Sequence, residues 1–268
     1  MIFVIALNAE AGPIIDLLKL KRSDDKHPYP LFSKEPYHLI VTGIGKSNAR
    51  KATDFLVERF AKQNQPWINF GMAGHGKMEV GECFLANRIF DQQGEKTFFP
   101  PQLLKTDFPS SALMTCSNPV DDYPEPIGYD MEASAFCSAA LQASTRELIQ
   151  VVKVVSDNPK QPLDSFDRAK ASSLIAKGVP SLLSFASKLD DLSKKITPSA
   201  QLLFVIREAL CLQSFSETQG HQVRKLITHC HALGLPPGYA IEFLQKASSS
   251  KQAISNLHSA LEQYRILL

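Results

Sequence analysis

Short apolar runs that stop on polar or glycine-rich residues recur from the first residues of the chain to about Asp157, and they restrict the fold more than any other feature. Ile2 to Leu7 is apolar at consecutive positions, which reads as a strand buried on both faces. His38 to Thr42 is a second short strand, broken by Gly43-Ile44-Gly45. A helix then runs from Ser47 to Ala61, with Ala49, Ala52, Phe55, Leu56 and Phe60 on one face. Pro66 opens a strand at Trp67 to Phe70 that leads into the glycine-rich loop GMAGHG. Further strands are predicted at Gly81 to Phe90, Ser111 to Cys116 and the β-branched Leu148 to Val155. Between them, Asp91 to Pro109 reads as an irregular loop carrying Phe98 and Phe99, and a Pro/Asp segment extends to Pro126. Helices are predicted from Met131 to Ala143 and from Pro162 to Leu189, with Gly178-Val179-Pro180 as a break in the second. Such alternation specifies an α/β fold, a central sheet that is mostly parallel or mixed with helices around it.

The texture changes near Lys194. No strand pattern follows, and helical patterns occupy 199–214, 218–232, 236–247 and 250–266. The predicted organisation is therefore an α/β domain over 1–194 and an all-α appendage over 195–268. Leu202, Leu203, Ile206, Leu210 and Leu212 form one apolar stripe of the appendage, and Ile254, Leu257, Leu261 and Leu268 another. Their uses are the core of a small bundle or cover, or a dimer contact or lid.

Composition narrows the function classes. With 29 basic and 27 acidic residues the net charge is +2, and no basic block supplies an electrostatic footprint for nucleic acid. No apolar run has the length of a membrane span, and MIFVIALNAEAG meets Glu10 too early to be a signal peptide. Five cysteines without a C-x-x-C pair fit buried free thiols in a cytoplasmic protein, with no metal site implied.

The residues at the strand ends are chemically unusual: Asn8-Ala9-Glu10, Thr42 to Lys46, Gly71 to Gly76, Asp130-Met131-Glu132 and Ser156-Asp157. Parallel strands bring such stretches to one sheet edge, where open α/β sheets bind ligands. Each also has a purely structural use. Glu10 and Glu132 suit first turns of helices, Asp130 and Asp157 suit caps, His75 suits a turn, and Gly43 and Gly45 suit a turn as well.

Taken together, ALNAEAG, VTGIGKSNA, INFGMAGHG, YDMEASAF and VVKVVSDNP resemble, in order, the motifs of the nucleoside phosphorylase superfamily, in its methylthioadenosine/S-adenosylhomocysteine nucleosidase-like branch. His75 stands where that branch has a glycine, Thr42 where it has a serine and Lys153 where it has an arginine. The resemblance implies a purine nucleoside N-ribosyl hydrolase without cofactor or metal, acting on a small-molecule nucleoside and assembling as a homodimer or other homo-oligomer. It implies Glu10 as the base that activates water and Asp157 as the acid that protonates the purine. Thr42, Gly43, Met72, Ala73, Gly74, Met131, Glu132 and Ser156 are the implied substrate contacts, with Met131 and Glu132 at the ribose. Lys153 is expected behind Glu10. Phosphorolytic members carry an arginine just before the glycine loop; here the place reads Asn69-Phe70-Gly71-Met72, which favours water over phosphate as acceptor. The segment between Phe90 and Gly128 is short and lacks the branch's base-stacking aromatic near Thr115 to Pro119, a role open to Phe98 and Phe99. A phosphorylase, or a nucleoside-binding protein without turnover, are the alternatives.

Overall fold

The computed structural model describes residues 1–24, 26–60, 64–94, 96–162 and 167–266, and divides into two compact units, Met1–Ile196 and Thr197–Leu268. The first unit runs β1 (Ile2–Ile5), α1 (Asn8–Leu18), β2 (Lys21–Arg22), β3 (Leu31–Lys34), β4 (Tyr37–Val41), α2 (Lys46–Phe60), β5 (Trp67–His75) and β6 (Cys83–Asp91). It continues through β7 (Thr97–Phe98), β8 (Ser110–Thr115), β9 (Gly128–Asp130), α3 (Ala133–Ala140), a single 3-10 turn (Arg146–Leu148), β10 (Ile149–Asp157) and α4 (Arg168–Ile196).

The strands form one mixed sheet. β1 lies between β4 and β5, parallel to both, and β3 and β2 extend that side antiparallel. Besides β1, the nine-residue β5 has two more strand partners. Its main length pairs parallel with β10, while its end pairs antiparallel with β9, Gly74 opposite Tyr129 and His75 opposite Gly128. β10 pairs with β6, β6 with β8 and β8 with β9, so that β5, β10, β6, β8 and β9 close a ring. Helices cover both faces. Ala11 and Ile14 of α1 and Ile175, Val179 and Leu182 of α4 bury one side of the sheet. Ala52 and Leu56 of α2 and Ala133, Phe136 and Cys137 of α3 bury the other. Removing the isoleucine, leucine, valine and phenylalanine side chains among these from water is worth about 1.5–3 kcal/mol each, and this holds the layers together.

Several local expectations change. The glycine-rich stretch is not a loop: β5 continues through it to His75. Glycine weakens a strand, but here it lets other groups come close; a Cβ on Gly71 would sit 3.0 Å from Glu10 Oε1. Nor does α4 break at Gly178-Val179-Pro180, since it is continuous from Arg168 to Ile196. Gly178 faces the sheet, and a Cβ there would be 2.6 Å from Cys83 Sγ. The glycine marks close helix–sheet packing rather than an end. The 91–109 stretch holds the short strand β7, and α3 is shorter than expected, so that Glu132 is its N-cap residue and not part of its first turn. Cys116, Cys137 and Cys230 are buried, but Cys83 is only partly so and Cys211 is exposed. Ala61, Leu268 and the first residues of the expected 162–189 helix, 163–166, lie outside the described residues, as does the side chain of Phe60.

The second unit contains α5 (Ala200–Cys211), α6 (Glu217–Ala232), α7 (Gly238–Gln245) and α8 (Ser250–Ile266). Ser199 and Ser216 cap α5 and α6 by accepting from Leu202 N and Gln219 N. Leu202, Ile206, Val223, Ile227, Leu244 and Leu257 meet in a core of its own. Leu203 and Phe204 of α5 remain exposed. Among the described residues no helix is long and apolar enough to cross a membrane.

Candidate active site

A cavity of about 910 Å3 opens where β1, β4, β5, β9 and β10 end. Every one of the five sequence stretches contributes to its wall: Asn8-Ala9-Glu10, Ile44, Met72-Ala73-Gly74, Asp130-Met131-Glu132 and Ser156. β9 runs against β5, yet the closed ring of strands brings its end to the same place.

Glu10 is the third residue of α1, the helix that follows β1, and is 3% exposed. Its Oε2 accepts from Leu7 N at 2.9 Å and its Oε1 from Met72 N at 2.8 Å. Burial raises its pKa, and these two N–H groups together with Lys153 oppose the rise. Glu132 accepts from Gly45 N at 2.7 Å through Oε1. Gly43 and Gly45 have φ of 83° and 98°, a region that favours glycine, so the GIG turn can aim that N–H at the carboxylate. Burial lifts the Glu132 pKa to about 7, with Lys153 opposing and Asp130 reinforcing the shift.

Both carboxylates feel the charge of a buried cation. Lys153 of β10 pairs with Asp130 at 2.8 Å, and both side chains are out of water. Asp130 is further held by the Thr115 hydroxyl at 2.8 Å and Ala133 N at 2.9 Å. Burial disfavours the ammonium, but Asp130, Glu132 and Glu10 outweigh it and raise the Lys153 pKa. The lysine thus sits as expected near Glu10, although its direct partner is Asp130.

Asp157 follows a bulge in β10: Val155 is opposite Ala73 and Asp157 opposite Gly74, leaving Ser156 as the extra residue. The bulge puts Ser156 on the cavity wall and Asp157 behind it, against Gly74, where a Cβ would be 2.9 Å from Asp157 Oδ2. Its Oδ1 accepts from the Ser156 hydroxyl and its Oδ2 from the Tyr123 hydroxyl. Burial raises its pKa to about 6, and Lys170 opposes this.

Other expected contacts lie elsewhere. Thr42 turns its hydroxyl to Gly43 O at 2.6 Å, and neither Thr42 nor Gly43 lines the cavity; Ile44 does. Phe98 packs in the core and Phe99 points to solvent, so neither reaches the cavity. The aromatics near it are Tyr129, on its wall, and Tyr123, over Gly74. Tyr123 was concealed in the Pro/Asp segment; the signal available was a single aromatic within DDYPEP. His75 is a structural residue. Its Nδ1 accepts from Lys77 N and Met78 N, which leaves Nε2 to donate to Ser111 Oγ at 3.0 Å. Among the described residues no group of three or more His, Cys, Asp or Glu is arranged to hold a metal.

The fold of the chain is similar to that of solved nucleosidases. No family model and no curated protein matches the sequence. Among solved structures, the methylthioadenosine/S-adenosylhomocysteine nucleosidase of Neisseria meningitidis, in complex with methylthio-immucillin-A, has a TM-score of 0.53 at 20% identity, over 68% of this chain and 97% of that one. The corresponding Helicobacter pylori enzyme, with butyl-thio-DADMe-immucillin-A, has a TM-score of 0.58 at 10% identity, over 70% and 97%. A futalosine hydrolase mutant of Helicobacter pylori has a TM-score of 0.55 at 10% identity, over 70% and 98%.

Proposed function

We propose that this protein is a nucleosidase that hydrolyses the N-glycosidic bond of a purine nucleoside. The observation that carries this reading is the convergence of three buried carboxylates, Glu10, Asp130 and Glu132, on one cavity whose adjoining wall holds a fourth, Asp157.

Cleavage of an N-glycosidic bond builds positive charge on the sugar and negative charge on the departing base. Glu10, buried and held by two N–H groups, has the raised proton affinity that suits a base working near neutral pH. It takes a proton from water as the oxygen joins the anomeric carbon. The bond electrons leave with the heterocycle, and Asp157 supplies the proton that neutralises it. Glu132 accepts from vicinal ribose hydroxyls, with Met131 beside the sugar. Lys153 keeps this run of carboxylates from expelling one another's charge.

Water is favoured over phosphate because the cations nearest the glycine-rich strand are engaged elsewhere, although Arg168, at the start of α4, lines the cavity. Lys46 and Arg50, the nearest substitutes for a phosphate-binding arginine in sequence, line a separate cavity of about 710 Å3. There Lys46 is paired with Asp91 at 2.9 Å and Arg50 with Asp54 at 2.8 Å. Lys153 is committed to Asp130. The test is purine release from a panel of nucleosides, with and without phosphate. Release without phosphate supports hydrolysis, strict dependence on phosphate replaces it with phosphorolysis, and binding without release marks a protein that has kept the pocket and lost turnover. The same reading takes the two units as separate domains, the α/β one carrying the chemistry.

A further inference from the structure

Tyr123 has a role that the proposed reaction does not yet use. It lies in the 116–127 stretch between β8 and β9, which contains no helix or strand. Its φ is 43°, in the left-handed region that costs a tyrosine energy. Even so, the side chain is 6% exposed. Its ring stands edge-on to Tyr129 with centroids 5.8 Å apart, in a small apolar cluster with Cys116 that is separate from the two main cores. Its hydroxyl reaches Asp157.

Two further facts define what that contact does. A Cβ on Gly74 would be 2.6 Å from Tyr123 Cε1 and 2.9 Å from its hydroxyl, so only a glycine at this cavity-lining position leaves room for the ring. With Ser156 on Oδ1 and Tyr123 on Oδ2, both oxygens of Asp157 already accept hydrogen bonds from the protein. A carboxyl with two donors is held as an acceptor. An acid needs the reverse: a proton of its own and a free line to the ligand. Asn118, Pro119 and Val120, from the same stretch as Tyr123, line the cavity, so the segment is part of the wall a ligand meets.

We propose that Tyr123 is a positioning residue that keeps Asp157 an acceptor until a purine-type heterocycle takes the place of its hydroxyl. The inference rests on the nucleosidase reading. On displacement Tyr123 keeps its own proton. Asp157, having lost one of two donors, takes a proton from solvent and passes it to the heterocycle nitrogen as the glycosidic bond breaks. The acid is thereby armed only when a base is present, and a ligand without a heterocycle that fits between Gly74 and Ser156 leaves it disarmed.

Tyr123→Phe keeps the ring and removes the hydroxyl. On the ligand-free protein, the carboxyl carbon of Asp157, assigned with Asp157→Asn, is expected to titrate at higher pH in Tyr123→Phe than in the wild type; identical titration overturns the proposal. In turnover with a purine nucleoside, KM is expected to fall about threefold to tenfold in Tyr123→Phe, because the binding-competent state no longer has to be freed. Tyr123→Leu, which also removes the ring, is expected to lower KM in the same direction while costing stability. A raised KM in both variants makes the phenol a substrate contact and overturns the proposal. A wild-type protein that releases no purine from any nucleoside defeats the hydrolase reading, and the displacement step falls with it; the titration arm, read without ligand, separates that failure from a failure of the Tyr123–Asp157 contact.

Discussion

Lys153 and Asp130 form a 2.8 Å ion pair with both side chains buried, and the charge of Lys153 also acts on Glu10 and Glu132, which line the same cavity as Asp130. Asp130, Glu132 and Glu10 all act on that one ammonium, and together they raise its pKa against the effect of burial.

Truncating the cation isolates Asp130. Lys153→Met is expected to lower stability by about 3–5 kcal/mol, as removal of one partner from a buried pair does. Denaturant unfolding measures it, and a change under 1 kcal/mol defeats the account of the pair. Lys153→Arg retains the charge and is expected to recover most of the loss.

The proposed acid has a specific signature. Asp157→Asn is expected to reduce purine release by about 100-fold to 10,000-fold, while the affinity for a nucleoside analogue changes little. Equal turnover in that variant removes Asp157 from the chemistry.

Asp157 also sets a sign for stability against pH. Its pKa is raised from 3.8 to about 6, so the folded protein binds a proton more tightly than the unfolded chain. Its contribution is complete below 3.8 and is lost as pH rises through about 6. Asp157→Asn is therefore expected to gain stability relative to the wild type on going from pH 4 to pH 7. A stability difference that stays flat or moves the other way contradicts the raised pKa.

His75 works in the opposite direction. Burial lowers its pKa, and its Nδ1 already accepts from two backbone N–H groups, so protonation breaks those bonds. The unfolded chain binds that proton more readily, hence the His75 contribution is present above the ordinary histidine pKa of about 6.5 and fades as pH falls below it. His75→Gln is expected to weaken the acid-side loss in a thermal unfolding series, and an unchanged slope rejects the assignment.

Close packing at a glycine gives a test that involves no chemistry. Gly178→Ala places a methyl 2.6 Å from Cys83 Sγ and 3.3 Å from Val154 Cγ2, both against the sheet. The expected cost is about 1–3 kcal/mol, typical of overpacking a core. Adding Cys83→Ala to it is expected to return part of the loss.

Much of this was legible in the residues, and the failures have physical causes. Buried apolar runs such as Ile2–Ile5 and Ile149–Asp157 announce strands because both faces meet helices. The four tail helices are equally readable, since their apolar stripes pack on one another. Local propensity misled at Gly71 to Gly76 and at Gly178, where tertiary contact outweighs the poor strand or helix preference of glycine. β2 was invisible because two exposed residues, Lys21 and Arg22, carry no pattern. Tyr123 escaped for another reason: its contact with Asp157 joins residues 34 positions apart, and nothing local marks it.

β5 holds hydrogen-bonded neighbours in β1, β9 and β10, and it carries the cavity floor along its final residues. A segment so fully engaged tolerates neither insertion nor slippage, whereas the 116–127 stretch hangs between two strands without a ladder of its own. A change of sequence in that stretch therefore reshapes the cavity wall at Asn118, Pro119 and Val120 while the strand pairing beneath stays as it is.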